Sequence, residues 1–192
     1  MEIKNRLENY VGVFDNTFNE NHLNTFLKVI KDYKHFTNAS IIKEGGSEVH
    51  TDTRNAQFWS LGRNLQSMTE VHWANYMDNK IWKYANIYCE NVKTSMDLHI
   101  REINILKYEV GGHYVRHEDH HRTEPRTLSF IFFLNDDYEG GDVHFFFPNE
   151  QNKMIIKKKA GRLIIFPSNF LYPHAVEPVT KGVRYSIVSW MI

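Results

Sequence analysis

The second half of the chain is a succession of short apolar or alternating runs, each closed off by Gly, Pro, Asn or Asp, and no other feature restricts the fold as much. The runs are "LHIREINILKYEV", "HYVRHED", "TLSFIFFLN", "DVHFFF", "NKMIIKKK", "RLIIFP", "PHAVEPV" and "VRYSIVSWMI". Runs of this length, rich in β-branched and aromatic residues and separated by turn formers, read as successive strands. Eight of them predict a closed or two-sheet antiparallel architecture of the jelly-roll or cupin sort. "NDDYEGGD" reads as a sharp turn, and the charges of "IIKKKAGR" as a solvated strand end and turn.

The first part has a different period. After a short apolar strand in "YVGVFDNTF", Leu23, Phe26, Leu27, Ile30 and Tyr33 recur at three- and four-residue intervals, the signature of a one-sided helix. Trp73, Tyr76, Met77, Ile81, Tyr84 and Tyr88 repeat it, with a cap expected in the region of Thr69. Such stripes pack a helix on a sheet, so their aromatic residues read as core. The expected class is α+β, mainly β, with N-terminal helices supporting the strand-rich part. A chain of 192 residues, 42% apolar and 14% aromatic, can build one sizeable core but hardly two, so residues 1–192 are expected to form a single domain.

Lys plus Arg and Asp plus Glu number 23 each, which leaves no net field to attract a polyanion, and nucleic acid is not an expected partner. Cys89 is the only cysteine, so no internal disulfide can form and a reducing compartment is expected. "MEIKNRLENY" lacks the apolar core of a signal peptide, and nowhere do the roughly 18 consecutive apolar residues of a membrane span occur. A soluble, cytoplasmic protein with no membrane partner is the expectation.

"GGHYVRHEDHHRTEPRT" concentrates His113, His117, His120 and His121 around Glu118 and Asp119. On a strand, residues two apart share a face, so His117 and Asp119 present an imidazole and a carboxylate together. Two ligands do not hold a catalytic metal. His174, following the strand "GRLIIFPS", is the best third candidate, and two histidines with one carboxylate form the facial triad of non-haem iron oxygenases. The pair also arises by chance, and His121 would share the face if the strand continued, so periodicity leaves it as a rival. His120 and His121 otherwise read as solvated loop residues, and His113 and His144 as core-edge or surface histidines. In "GVRYSIVSW", Arg184 and Ser186 share a strand face. A buried guanidinium needs an anion, and its fork suits the distal carboxylate of a diacid; the plain alternative is an internal salt bridge.

Together these residues carry a pattern that resembles the prolyl 4-hydroxylase branch of the 2-oxoglutarate/Fe(II)-dependent dioxygenases. The similarity runs through "YEVGGHYVRHEDHH", "RTLSFIFFLNDDYEGGDVHFF" and "KKKAGRLIIFPSNFLYPHAVEPVTKGVRYSIVSW", nearly all of residues 105 to 190. It implies a double-stranded β-helix (jelly-roll/cupin-like) core over 98–192, with helical support and a substrate loop in 1–97. It also implies that His117, Asp119 and His174 bind Fe(II), leaving His120 and His121 as non-ligands. Arg184 matches the residue that pairs with the far carboxylate of 2-oxoglutarate, Tyr108 a tyrosine whose hydroxyl reaches that cosubstrate, and Ser186 a position that often adds a hydroxyl. Phe133 departs from the pattern, since related enzymes often have tyrosine there. "VHTDTRNAQFWSL" looks like the family's arginine-containing substrate loop, so Arg54, with Trp190 and Trp59, falls on the substrate side; each tryptophan also reads as plain core.

The reaction implied is hydroxylation of peptidyl proline with O2, coupled to decarboxylation of 2-oxoglutarate to succinate, with ascorbate as reductant. Phe130, Phe132, Phe145 and Phe147 alternate along their strands, and the inward phase would supply an apolar wall. A long mobile loop around "GGSEVHTDTRNAQ" would help enclose a peptide. The alternatives are a hydroxylase of free proline or another small molecule, and a metal-binding cupin-like module without turnover. A nucleic-acid demethylase fits worse, because the chain has no basic stripe for a phosphate backbone.

Overall fold

The computed structural model describes residues 6–34, 36–43, 46–62, 66–148 and 153–192, with 41–43 and 46–47 described as main chain only. The chain begins with a 3-10 turn (Leu7–Tyr10), strand β1 (Gly12–Phe14) and helix α1 (Glu20–Asp32). Five short strands follow, β2 (Thr37–Asn38), β3 (Ile41–Lys43), β4 (Gly46–Glu48), β5 (Arg54–Asn55) and β6 (Gln57–Ser60), and then helix α2 (Met68–Asn91). The second half contains β7 (Ile100–Tyr108), β8 (His113–His117), β9 (Leu128–Phe133), β10 (Glu139–Gly140) and β11 (Val143–Phe145). It ends with β12 (Met154–Ile156), β13 (Leu163–Pro167), β14 (His174–Val176), β15 (Val179–Lys181) and β16 (Arg184–Met191). Each of the eight runs expected as strands holds one.

Two antiparallel sheets face each other. The larger has the order β1-β13-β9-β16-β7-β6-β2, the smaller β12-β11-β14-β8-β5, and two-stranded ribbons join β10 to β15 and β3 to β4. Strand alternation sorts the side chains. On β9, Ile131 and Phe133 turn between the sheets with Val143, Phe145, Phe147, Ile164 and Phe166. Phe130 and Phe132 turn the other way, onto α1 and α2. The apolar wall between the sheets therefore takes Phe145 and Phe147 from the expected set, while Phe130 and Phe132 anchor helices. This is the double-stranded β-helix architecture, mostly β with helices on one face.

The helices sit where their stripes dictate. Leu23, Phe26 and Ile30 of α1 are buried, and Asn19 caps its N-terminus by accepting from the Asn21 amide at 3.0 Å. On α2, Trp73, Met77, Ile81 and Tyr88 are buried; the cap in the Thr69 region is Ser67, whose side-chain oxygen accepts from the Glu70 amide at 3.2 Å, while the Glu70 carboxylate accepts from the Gln66 amide at 2.9 Å. Phe26 stacks on Trp73, with ring centroids 4.2 Å apart, and Trp59 stacks on Tyr33 at 3.8 Å. Trp59 is thus core and has no part in the substrate side.

Two loop expectations change. The segment 46–57, part of the stretch expected as a long loop, is built from β4, a turn in which the Thr53 and Arg54 amides donate to the His50 carbonyl, and β5, which continues through Ala56 into β6 of the other sheet. It straps the two sheets together, while Gly45 lies outside the described residues. The turn "NDDYEGGD" holds β10, which pairs with β15. Among the described residues, no helix is long and apolar enough to cross a membrane.

Candidate active site

Strand register assembles the site. His174, the first residue of β14, is the direct antiparallel partner of His117, the last residue of β8. Opposed residues on antiparallel strands project to the same face, and the two imidazole centroids stand 4.3 Å apart. Asp119, two residues past His117, turns back to them: its Oδ1 is 3.5 Å from His117 Nε2 and its Oδ2 is 3.7 Å from His174 Nε2. One ligand atom from each of the three lies within 4.8 Å of the others, and among the described residues this is the group that could hold a metal ion.

The main chain orients both rings. His117 Nδ1 donates to the Val115 carbonyl at 2.9 Å and His174 Nδ1 to the Tyr172 carbonyl at 3.1 Å, which leaves each Nε2 free for a metal. Burial and the neighbouring His117 push His174 down to about 4, so it is neutral at pH 7. Burial opposes ionisation of Asp119, but His174, His117 and Arg126 outweigh it and hold its carboxyl well below the usual range. Neutral imidazole and ionised carboxylate are the forms that ligate. Two residues that the sequence did not single out also touch the triad. Ser129 donates to Asp119 Oδ2 at 2.6 Å, and Tyr114 lies flat on His117 with centroids 3.5 Å apart.

Arg184 and Tyr108 are register partners on β16 and β7. Arg184 is 1% exposed, its Nη1 donates to Ser186 Oγ at 2.7 Å, and its Nε and Nη2 have no protein partner. Among the described residues no carboxylate pairs with it, so the internal salt bridge is not found. The guanidinium lies between the Tyr108 and Phe133 rings, 4.8 and 5.3 Å from their centroids. Arginine cannot shed its proton, and an unpaired buried charge costs several kcal/mol; an entering carboxylate would relieve that cost. Tyr138 stands beside Arg184 with a buried, unpartnered hydroxyl whose acidity burial lowers and the guanidinium raises.

The triad, Arg184, Tyr108, Arg54 and Trp190 line one narrow cavity of about 30 Å³. The cavity opens on a groove of about 680 Å³ that Arg54, Trp190, Asn104 and Arg126 also line. Arg54 donates to the Ser40 carbonyl at 3.2 Å and rests 4.8 Å above the Tyr114 ring. Trp190, 7% exposed, carries the Arg126 guanidinium 3.7 Å above its ring, and Arg126 pairs with Glu102 at 3.1 Å.

The remaining histidines are occupied elsewhere. His121, the rival by periodicity, bonds Thr123 Oγ1 through Nδ1 at 2.9 Å, and His120 Nδ1 contacts the Arg126 carbonyl at 2.9 Å. His113 bridges the Gly111 and Asp52 carbonyls. His144 Nδ1 lies 2.7 Å from Glu177 Oε1.

Comparison with known proteins agrees with this geometry. Residues 103–192 match the model of the 2OG-Fe(II) oxygenase superfamily. A PKHD-type hydroxylase of Synechococcus sp. (strain JA-2-3B'a(2-13)) is 37% identical over 100 residues, covering 48% of this chain and 43% of that one. Human prolyl 3-hydroxylase 2 is 41% identical over 68 residues, 34% of this chain and 9% of that one. The chain spans less than half the length of these curated relatives. Among solved structures, a prolyl hydroxylase of Trichoplax adhaerens in complex with a hypoxia inducible factor peptide fragment superposes with a TM-score of 0.79 at 20% identity, over 96% of this chain and 84% of that one. A Pseudomonas putida prolyl-4-hydroxylase gives 0.69 at 19% identity, over 94% and 91%. At such identities the likeness is one of fold. The stretch that is similar to the 2OG-Fe(II) oxygenase superfamily, residues 103–192, carries the triad and Arg184, and the fold is that of the prolyl hydroxylase structures.

Proposed function

We propose that the protein hydroxylates proline residues of a peptide or protein, consuming O2 and 2-oxoglutarate and releasing succinate and CO2, with His117, Asp119 and His174 holding Fe(II). The donor set fits that ion: two imidazoles and a carboxylate grouped at the wall of the cavity. Bound there, iron supplies with O2 and 2-oxoglutarate the oxidation of an unactivated C–H bond. Each turnover places one oxygen atom in the hydroxyl and the other in succinate.

The chain's own residues do the rest. Arg184 pairs with the far carboxylate of 2-oxoglutarate through the nitrogens that have no protein partner, and Ser186 fixes the fork from below. Tyr108, 1% exposed and across the register from Arg184, adds its hydroxyl. Ile131, Val176 and Val188 among the cavity-lining residues keep water from the reacting atoms. Arg54 and Trp190, which line both cavity and groove, meet the substrate next to the target carbon. Ascorbate serves as the external reductant.

The observation that carries the peptide over a free amino acid is the groove. At about 680 Å³ it is several times larger than one proline requires, and His117 and Asp119 are among its lining residues. The test is intact-mass analysis of a pool of proline-containing peptides incubated with the protein, Fe(II), ascorbate and 2-oxoglutarate, with free proline in parallel. Gain of one oxygen on peptidyl proline is expected, and fragment spectra give the carbon. Turnover on free proline alone would replace the peptide with a small-molecule substrate.

A further inference from the structure

Ser129 and Ser168, the residue that follows β13, are each 1% exposed. Ser129, on β9, is the register partner of Phe166 on β13 and of Trp190 on β16, and it shares the inward phase with Ile131 and Phe133. A hydroxyl in that apolar row is costly unless it is paired. Its Oγ lies 2.6 Å from Asp119 Oδ2 and 2.7 Å from Ser168 Oγ. The Ser168 backbone is itself pinned, its amide to the Thr127 carbonyl at 3.0 Å and its carbonyl to the His120 amide at 2.9 Å, one residue past Asp119.

The direction of both hydroxyl contacts follows from the charge at their end. An ionised carboxylate only accepts, so Ser129 must spend its single proton on Asp119. Its oxygen then accepts from Ser168, whose hydroxyl must donate. One buried charge orders a two-hydroxyl chain.

We propose that Ser129 is the positioning residue of the metal site, holding Asp119 Oδ2 so that Oδ1, 3.5 Å from His117 Nε2, faces the ion, while Ser168 keeps the Ser129 hydroxyl in its donating orientation. This rests on the reading of His117, Asp119 and His174 as metal ligands. Without Ser129 the carboxylate can rotate about its last bond and Ser168 loses its acceptor. Loss of such a supporting partner lowers metal affinity about 10- to 100-fold.

The test uses Co(II) as the probe, titrated into the metal-free protein and followed by its visible absorption. Ser129→Ala is expected to weaken Co(II) binding at least about 10-fold and to alter the band shape. Ser129→Thr, which keeps the hydroxyl, should bind like the parent, and Ser168→Ala should fall between. Parent-like affinity and spectrum in Ser129→Ala, even with a lowered melting temperature, would reduce the serine to packing and overturn the proposal. So would a Ser129→Thr variant as weak as the alanine. If Ser129→Ala does not fold, Ser168→Ala decides: unchanged Co(II) affinity there overturns the relay. A parent protein that binds no Co(II) would instead fail the metal-site reading itself.

Discussion

The ring of Tyr114 lies 3.5 Å from that of His117 and only 16° from parallel, and the Arg54 guanidinium lies over the same tyrosine, 4.8 Å from its centroid. Tyr114 thus touches both the arginine of the groove and an imidazole of the candidate metal site. Arg54→Ala should lower kcat/KM for a proline peptide about 10-fold, the loss of one charge-assisted hydrogen bond, with the KM for 2-oxoglutarate unchanged. Arg54→Lys should recover little, because lysine keeps the charge but loses the planar stack. Steady-state kinetics with each substrate varied in turn separates the two effects.

Removal of the Arg184 guanidinium should be felt at the other end of the cavity. Arg184→Met is expected to weaken 2-oxoglutarate binding about 100-fold or more, since truncating one side of a buried charge pair costs about 2–5 kcal/mol. Arg184→Lys should be intermediate. Calorimetry with Mn(II) in place of iron measures both, and an unchanged affinity in the methionine variant would remove Arg184 from the cosubstrate site.

Gly141 connects that arginine to the β10 turn. Its φ of +65° suits glycine, and a Cβ there would stand 2.9 Å from Tyr138 Cε2 and 3.0 Å from Arg184 Cδ. Gly141→Ala should cost about 1–3 kcal/mol of stability. It should also weaken 2-oxoglutarate binding by displacing the guanidinium. Denaturant melts and the same Mn(II) titration check the two parts.

Much of this arrangement was legible in the sequence, for identifiable reasons. Short apolar or alternating runs located the long strands of the second half, and the two-residue step from His117 to Asp119 put both on one side. The pairing of His117 with His174 depends on which strands become neighbours; the strand order of the sequence offered His174 as a candidate, and the family resemblance chose it over His121. Tyr114, Ser129 and Ser168 were missed because a tyrosine or serine on a strand carries no signal until register shows what it opposes. Trp59 came to the substrate side only through the resemblance, which implies a tryptophan near the target; its other reading, core, holds, because β6 belongs to the other sheet and turns it onto Tyr33. The loop 46–57 was misjudged since its strands are only two to four residues long, too short for alternation to register.

Lys80 sets a pH dependence away from the site. Burial, and then the nearby Lys83, lower it to about 8, although its Nζ donates to the Thr17 carbonyl and lies 4.6 Å from the Phe18 ring centroid. Between about pH 8 and the unfolded value of 10.5, the unfolded chain holds the proton more tightly than the folded one. Stability therefore climbs as pH rises through that window. Lys80→Met should flatten this slope, as read from urea midpoints at a series of pH values.

The central claim is that iron at His117, Asp119 and His174, with 2-oxoglutarate on Arg184, carries a hydroxylation. Its most direct test is succinate formation measured with and without a proline peptide, in the parent protein and in Asp119→Ala. The expected result is iron-dependent succinate that rises when peptide is added and vanishes in the variant. Iron-loaded parent protein that forms no succinate with any peptide, or a variant that forms as much as the parent, would contradict it.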